Sequence, residues 1–196
     1  MSVTSEPIPL LVLGLGNVLC QDDGLGACAV ARILAEYEAV DGVYVLDGGT
    51  LGLNLLPYLE DAERVIIVDA IRAEGPPGTL VRLSGDEVGP AVADRLSPHQ
   101  VGVSDLIEAA RWRGRLPATL VLLGLVPESL GLGVDRSPAV EEGIPGLVLR
   151  VVAEARSLGF DLVRRPPGAF DAYRASRPLS LARRLRRRAR GGRLRG

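Results

Sequence analysis

Short runs of uninterrupted apolar residues alternate with helical patterns over most of the chain. Residues 10–13 are apolar at every position, the mark of a strand covered on both faces. The run breaks at Gly14 and Gly16. Residues 24–38 then have helical spacing, with Val30, Ile33, Leu34 and Tyr37 on one face and Arg32 and Glu36 on the other. Residues 43–46 are a second β-rich run, ending in the turn Asp47-Gly48-Gly49-Thr50. Residues 51–59 are leucine-rich and helical in spacing, interrupted by Pro57, and residues 64–68 are the clearest strand, ending at Asp69. Strand, helix, strand, helix, strand predicts a parallel sheet with right-handed crossovers.

Further along, Gly75-Pro76-Pro77-Gly78 is a turn into a strand over residues 79–83, placed at a sheet edge. Residues 84–96 are loop-like or weakly helical. Ser97-Pro98-His99-Gln100 is a helix start: Ser97 caps, Pro98 suits the first helical position and Gln100 closes a capping box. Val103, Leu106, Ile107 and Ala110 share the apolar face of that helix, and residues 119–123 are another buried strand. Ser137-Pro138 opens a long helix to about residue 158, in which Gly143, Pro145 and Gly146 predict a kink or a late start. The predicted fold is α/β: a three-layer α/β/α sandwich with a mostly parallel twisted sheet and one antiparallel edge strand.

A chain of 196 residues, 47% of them hydrophobic, has room for a single α/β domain over residues 1–160 and a Pro/Arg-rich basic tail over residues 161–196, expected to be flexible. The net charge of −1 conceals two blocks. Residues 164–196 hold 12 arginines and one acid, hence +11; residues 1–163 hold 11 arginines and 23 acids, hence −12; lysine is absent. Such a tail suits docking to an acidic partner or an anionic surface. Its aromatics, Phe170 and Tyr173, are not interleaved with the arginines, so base stacking has little support. No apolar run reaches the roughly 20 residues of a membrane span, and the first residues lack a signal-peptide pattern, so a cytoplasmic address is expected. Cys20 and Cys28 are expected to be free, structurally buried thiols.

Gly14-x-Gly16 lacks the third glycine of a dinucleotide fingerprint, because Leu19 stands there, and no Gly-Lys-Ser/Thr exists. The glycines therefore mark a tight strand-to-helix turn, and no nucleotide cofactor is expected. Asp22 and Asp23 precede a helix, where the backbone dipole alone favours acids. Asp69 directly follows Val65-Ile66-Ile67-Val68, at the rim from which α/β enzymes project working groups. His99, the only histidine, stands in the first turn of a capped helix, where the dipole keeps the imidazole neutral and able to bind metal. Acids and one histidine at element ends make a three-ligand site with open positions, suited to nickel or zinc. Their spacing is non-local, so the residues alone leave this reading beside ordinary structural ones. Ser104 and Ser129 have no second histidine to serve them, and serine-hydrolase chemistry is not expected.

The same residues resemble the hydrogenase maturation proteases, whose pattern opens with a strand and Gly-x-Gly-Asn-x-Leu-x-x-Asp-Asp/Glu-Gly-x-Gly. Residues 14–26 read Gly-Leu-Gly-Asn-Val-Leu-Cys-Gln-Asp-Asp-Gly-Leu-Gly. Asp-Gly-Gly-Thr follows at Asp47 to Thr50, Ile-Ile-x-Asp-Ala at Ile66 to Ala70, Ser-x-His-Gln at Ser97 to Gln100 and Gly-x-x-Pro at Gly124 to Pro127. The motifs come in family order over roughly residues 10–158; the arginine-rich tail lies outside them.

The resemblance implies an endopeptidase that removes the C-terminal extension of the nickel-loaded large-subunit precursor of a nickel–iron hydrogenase. The nickel belongs to the substrate, and Asp23, Asp69 and His99 are implied as its contacts and as the catalytic groups. Some relatives carry glutamate where Asp23 stands. Asp47, Gly48, Gly49 and Thr50 are expected to bind substrate, the glycines letting its backbone approach. The enzyme is expected to be a monomer with no DNA partner and no nucleic-acid role. Two rivals remain. Peptidyl-tRNA hydrolases also open with a strand and Gly-Leu-Gly-Asn, but continue with Pro-Gly and an early histidine, where this chain has Val18-Leu19. A non-catalytic nickel checkpoint or chaperone of hydrogenase assembly is the other.

Overall fold

The apolar runs form a five-stranded sheet in a computed structural model that describes residues 7–89 and 103–166. Contacts divide the chain into one unit of Met1–Val163 and a second of Arg164–Gly196; the fold and site below belong to the first. The strands are β1 (Leu10–Leu15), β2 (Tyr37–Ala39), β3 (Val43–Gly49), β4 (Arg64–Ala70), β5 (Leu80–Ser84), β6 (Thr119–Leu125) and β7 (Leu162–Arg164). The helices are α1 (Leu25–Glu36), α2 (Leu56–Asp61), α3 (Val103–Trp112) and α4 (Pro138–Ser157). The main sheet has the order β3-β1-β4-β6-β5, parallel except for β5, which pairs antiparallel with β6 at the edge. The three layers, the parallel sheet and the antiparallel edge follow the sequence reading.

Strand alternation sorts the apolar residues to two cores. Leu10 and Val12, Ile66 and Val68, and Val121 and Leu123 pack under α1 and α4. Leu11 and Leu13, Val65 and Ile67, and Leu120 and Leu122 pack under α2 and α3. Because both faces are covered, the strands read as unbroken apolar runs.

Several boundaries differ from the sequence reading. Tyr37 ends no helix; it starts β2, which pairs with β7 in a two-stranded sheet. Strand β3 runs on through Asp47 to Gly49, and β4 includes Asp69. Residues 52–55 form a 3₁₀ turn before α2, whose first turn holds Pro57, where a missing N–H costs nothing. Helix α4 starts at Pro138, as capped by Ser137, and continues through Pro145. Its Gly143 is a close-packing position: a Cβ there would lie 2.8 Å from Leu125 Cδ1 on β6. Edge strand β5 is tied to α4 by Arg82, whose Nε and Nη2 donate to the two carboxylate oxygens of buried Glu154 at 3.0 and 2.8 Å. That fork holds the Glu154 carboxyl below its ordinary value against the opposing effect of burial. The helix start at Ser97–Gln100 and the tail beyond residue 166 lie outside the described residues.

Glycines set how closely α1 approaches the strand ends. A Cβ on Gly26 would lie 2.2 Å from the carbonyl oxygen of Val68 and 2.3 Å from that of Leu15. A Cβ on Gly14 would lie 2.4 Å from the carbonyl oxygen of Gly26. The first turn of α1 therefore rests directly on the ends of β1 and β4. Replacing a helical glycine with alanine ordinarily stabilises by about 0.5–1 kcal/mol. Here the sign reverses: Gly26→Ala is expected to destabilise by about 2 kcal/mol or more, because rigid backbone on both sides must move. Urea unfolding measures this, and a variant at or above wild-type stability contradicts the packing.

Candidate active site

Along the sheet, the chain passes from β1 outward to β3 through α1 on one face, then back to β4 through α2 on the other. The direction reverses between β1 and β4, which opens a crevice at their C-terminal ends, the usual place for ligands in such sheets. Two of the three acids singled out in the sequence flank it. Asp23 belongs to the 3₁₀ turn Gln21–Gly24 after β1, and this turn packs against β4. Asp69 is the penultimate residue of β4, buried at 1% exposure, and its Oδ1 accepts from the Ala70 N–H at 2.9 Å.

The loop that carries Asp23 is wound tightly by glycine. Gly16 has φ +112°, and a Cβ there would lie 1.7 Å from the Asp23 carbonyl oxygen. Asp23 Oδ2 accepts from the Asn17 N–H at 2.6 Å, so its carboxylate turns back over the loop start. Both observations bear out the tight strand-to-helix turn. On the other side of β1, Asp47 and Thr50 are exposed at the end of β3. Gly48 faces inward: a Cβ there would meet Leu13, Leu15 and Leu55 side chains at 2.8–3.0 Å. The pairing shifts here, with Gly14 opposite Asp47 but Leu15 opposite Gly49, so Gly48 is the extra residue of a bulge. His99 lies outside the described residues, and among the described residues no three His, Cys, Asp or Glu side chains form a metal-holding group.

Asp22, which the sequence alone leaves as a helix-terminal acid, has a different task. It is fully buried. Its Oδ2 accepts from the N–H of Glu128 at 2.8 Å, the N–H of Ser129 at 3.1 Å and the Ser137 hydroxyl at 2.9 Å; its Oδ1 accepts from the Ser137 N–H at 2.7 Å. Ser137 Oγ in turn accepts from the Val140 N–H at 3.4 Å, capping α4. One carboxylate thus staples the acidic loop to the connection between β6 and α4, and places its charge at the N-terminus of that helix. Gln21, at φ +50°, adds a short hydrogen bond with Ser129 Oγ. Nothing local in the sequence marks this staple, because its partners stand 106–115 residues away.

Burial works against ionisation of Asp22, and the hydrogen bonds from Ser137, Ser129 and Glu128 overcome it, so its carboxyl sits below the ordinary aspartate value of 3.8. A lowered folded-state value means the stabilisation is fully present above the ordinary value and is lost as pH falls through the folded one. Asp22→Ala leaves several buried donors without an acceptor and is expected to cost about 3 kcal/mol, or roughly 6–12 °C of melting temperature. The gap between wild type and variant should be constant near neutrality and close as pH drops below 3.8. Thermal melts at a series of pH values test this; a neutral-pH gap near zero contradicts the staple.

The family model for hydrogenase maturation proteases matches residues 28–154. The hydrogenase 2 maturation protease of Escherichia coli strain K12 is 37% identical over 157 residues, which cover 80% of this chain and 96% of that one. The solved structure of the hydrogenase maturating endopeptidase HybD from E. coli superposes with a TM-score of 0.75 at 37% identity, over 80% of this chain and 98% of that one. The NiFe hydrogenase maturation protease HybD from Thermococcus kodakarensis gives a TM-score of 0.56 at 29% identity, over 75% and 99% of the two chains. These relatives bear out the protease reading and leave the peptidyl-tRNA hydrolase and checkpoint readings without support. The chain belongs to the hydrogenase maturation protease family, and it is an endopeptidase.

Proposed function

We propose that this endopeptidase removes the C-terminal extension of the nickel-loaded large-subunit precursor of a nickel–iron hydrogenase. The relatives named for hydrogenase maturation support the substrate class. The carrying observation is that Asp23 and Asp69 flank the crevice where the sheet order reverses. In this reading the nickel arrives with the substrate, and Asp23, Asp69 and His99 contact it through carboxylate oxygen and imidazole nitrogen, ligands suited to that ion. His99 stands four residues before Val103 in the chain. Helix α3 covers the face to which alternation assigns Asp69 and packs on the Gly52–Leu55 turn after β3.

Hydrolysis requires a water to attack the scissile carbonyl and a base to take its proton. Asp23 is the proposed base: it is partly exposed, whereas Asp69 is enclosed. Asp47 and Thr50, exposed at the end of β3, are proposed to hold the substrate backbone. The inward-facing Gly48 supports this loop through packing. No helix among the described residues is long and apolar enough to cross a membrane. A monomer acting in the cytoplasm completes the proposal.

Single replacements Asp23→Ala, Asp69→Ala and His99→Ala should each lower the rate of precursor processing by roughly 10²-fold or more. Mass spectrometry of the precursor reads the loss of the extension, and full activity in all three variants contradicts the assignment. Asp23→Glu keeps the carboxylate and should retain activity well above Asp23→Ala. Equal loss in both would mean that the group does not act through its charge.

A further inference from the structure

Eleven large hydrophobic side chains are exposed among the described residues, and six of them stand in three loops at the C-terminal ends of β1, β3 and β6. Val18 and Leu19 are 53% and 59% exposed, Leu51 and Leu53 51% and 50%, and Leu132 and Val134 90% and 65%. Of the other five, Leu80 stands opposite Leu125 at the same end of the sheet, and Val40, Trp112, Leu149 and Val163 belong to other elements and connections, as is ordinary for a protein surface. A concentration of exposed apolar groups around one site marks an interaction surface.

The three loops are bonded in series. The Gly16 N–H donates to the Gly49 carbonyl at 3.2 Å, joining the first loop to the end of β3. The Gly133 N–H donates to the Leu19 carbonyl at 3.0 Å, and the Gln21 N–H to the Gly133 carbonyl at 2.9 Å, joining it to the loop after β6. The Asp22 staple fixes the same junction. The apolar groups are thus held on a preformed frame, which lowers the ordering cost of binding. Val18 and Leu19 also lie in the loop that carries Asp23, so the surface is continuous with the crevice. Among the exposed charges nearby, Asp47, Glu74, Glu128 and Asp135 are acidic and Arg72, two residues past β4, is basic, while Arg136 is occupied by Glu141 at 2.7 Å; acids prevail.

We infer that this apolar rim docks an extended, apolar, acid-poor stretch of the precursor polypeptide beside the bond to be cut. The inference rests on the proposed substrate, and goes beyond it by naming the surface and the chemistry it selects. An endopeptidase must hold the chain on either side of the scissile bond. A rim of leucine and valine next to the acids does so without competing for the nickel.

The test compares wild type, the double variant Leu19→Ser/Leu132→Ser and the control Trp112→Ser, which removes an 89% exposed side chain from α3. Equilibrium binding of the nickel-loaded precursor is measured beside its cleavage. The dissociation constant of the double variant should rise roughly tenfold or more, with the loss of cleavage carried by KM, while Trp112→Ser stays within about twofold. Should the double variant fail to fold, Leu132→Ser alone replaces it, since that side chain is 90% exposed. Unchanged binding by the serine variants overturns the inference, as does equal weakening by Trp112→Ser. Light scattering that finds a dimer broken by Leu132→Ser also overturns it, by giving the rim to a second copy of this chain. A wild type that binds the precursor through the rim without cutting it would contradict the proposed function alone; one that neither binds nor cuts contradicts both.

Discussion

One buried carboxylate governs the working end of this molecule. An ionised aspartate removed from water is tolerated only when its oxygens are fully engaged. Asp22 meets that condition with three backbone N–H groups and one hydroxyl, all from the connection between β6 and α4. The requirement runs both ways: the amides of Glu128, Ser129 and Ser137 use the carboxylate as their acceptor. Two loops far apart in the chain thereby become one rigid body, and the neighbouring Asp23 inherits its position from that union. The adjacent acids divide the labour: Asp22 is spent on the staple, and Asp23, bonded to the Asn17 N–H, stands in the turn beside the crevice.

Close backbone approach supplies the second constraint. Gly14, Gly16 and Gly26 lie where any side chain would collide with carbonyl oxygen. They bring the start of α1 down onto the ends of β1 and β4, so that the loop before it closes over the switch point instead of extending into solvent. Glycines that look in the sequence like a phosphate-binding loop serve here to pack a helix against a sheet. Gly124 on β6 follows the same logic: a Cβ there would lie 1.8 Å from the carbonyl oxygen of Asp69. The two acids at the crevice are therefore held from both neighbouring strands by positions that admit no side chain.

Much of this was legible in the chain. Strands buried on both faces announce themselves as unbroken apolar runs, and the turn at Gly75–Gly78 marked β5 as an edge strand. Asp69 was legible because it directly follows such a run, and Asp23 because it stands in the connection between the first run and the helical pattern after it. The missed features have physical reasons. Strands of three residues, such as β2 and β7, are too short to show a period. Pro145 and Gly143 carry the local signature of a helix break, but packing of α4 on β6 and the core outweighs it. Asp22 looks identical in sequence to an acid that merely complements a helix dipole, since hydrogen bonds to residues more than a hundred positions away leave no local pattern. The apolar rim was hidden for a similar reason: Leu19, Leu53 and Leu132 are unremarkable until the fold brings their loops to one end of the sheet.

In the proposed function, acids at a switch point inspect a metal carried by the substrate before a peptide bond is cut. Incubating the enzyme with the large-subunit precursor, once loaded with nickel and once stripped of it, and weighing the products by mass spectrometry, addresses this directly. The account predicts loss of the C-terminal extension only from the nickel-loaded precursor. Equal cleavage of the nickel-free precursor would contradict it.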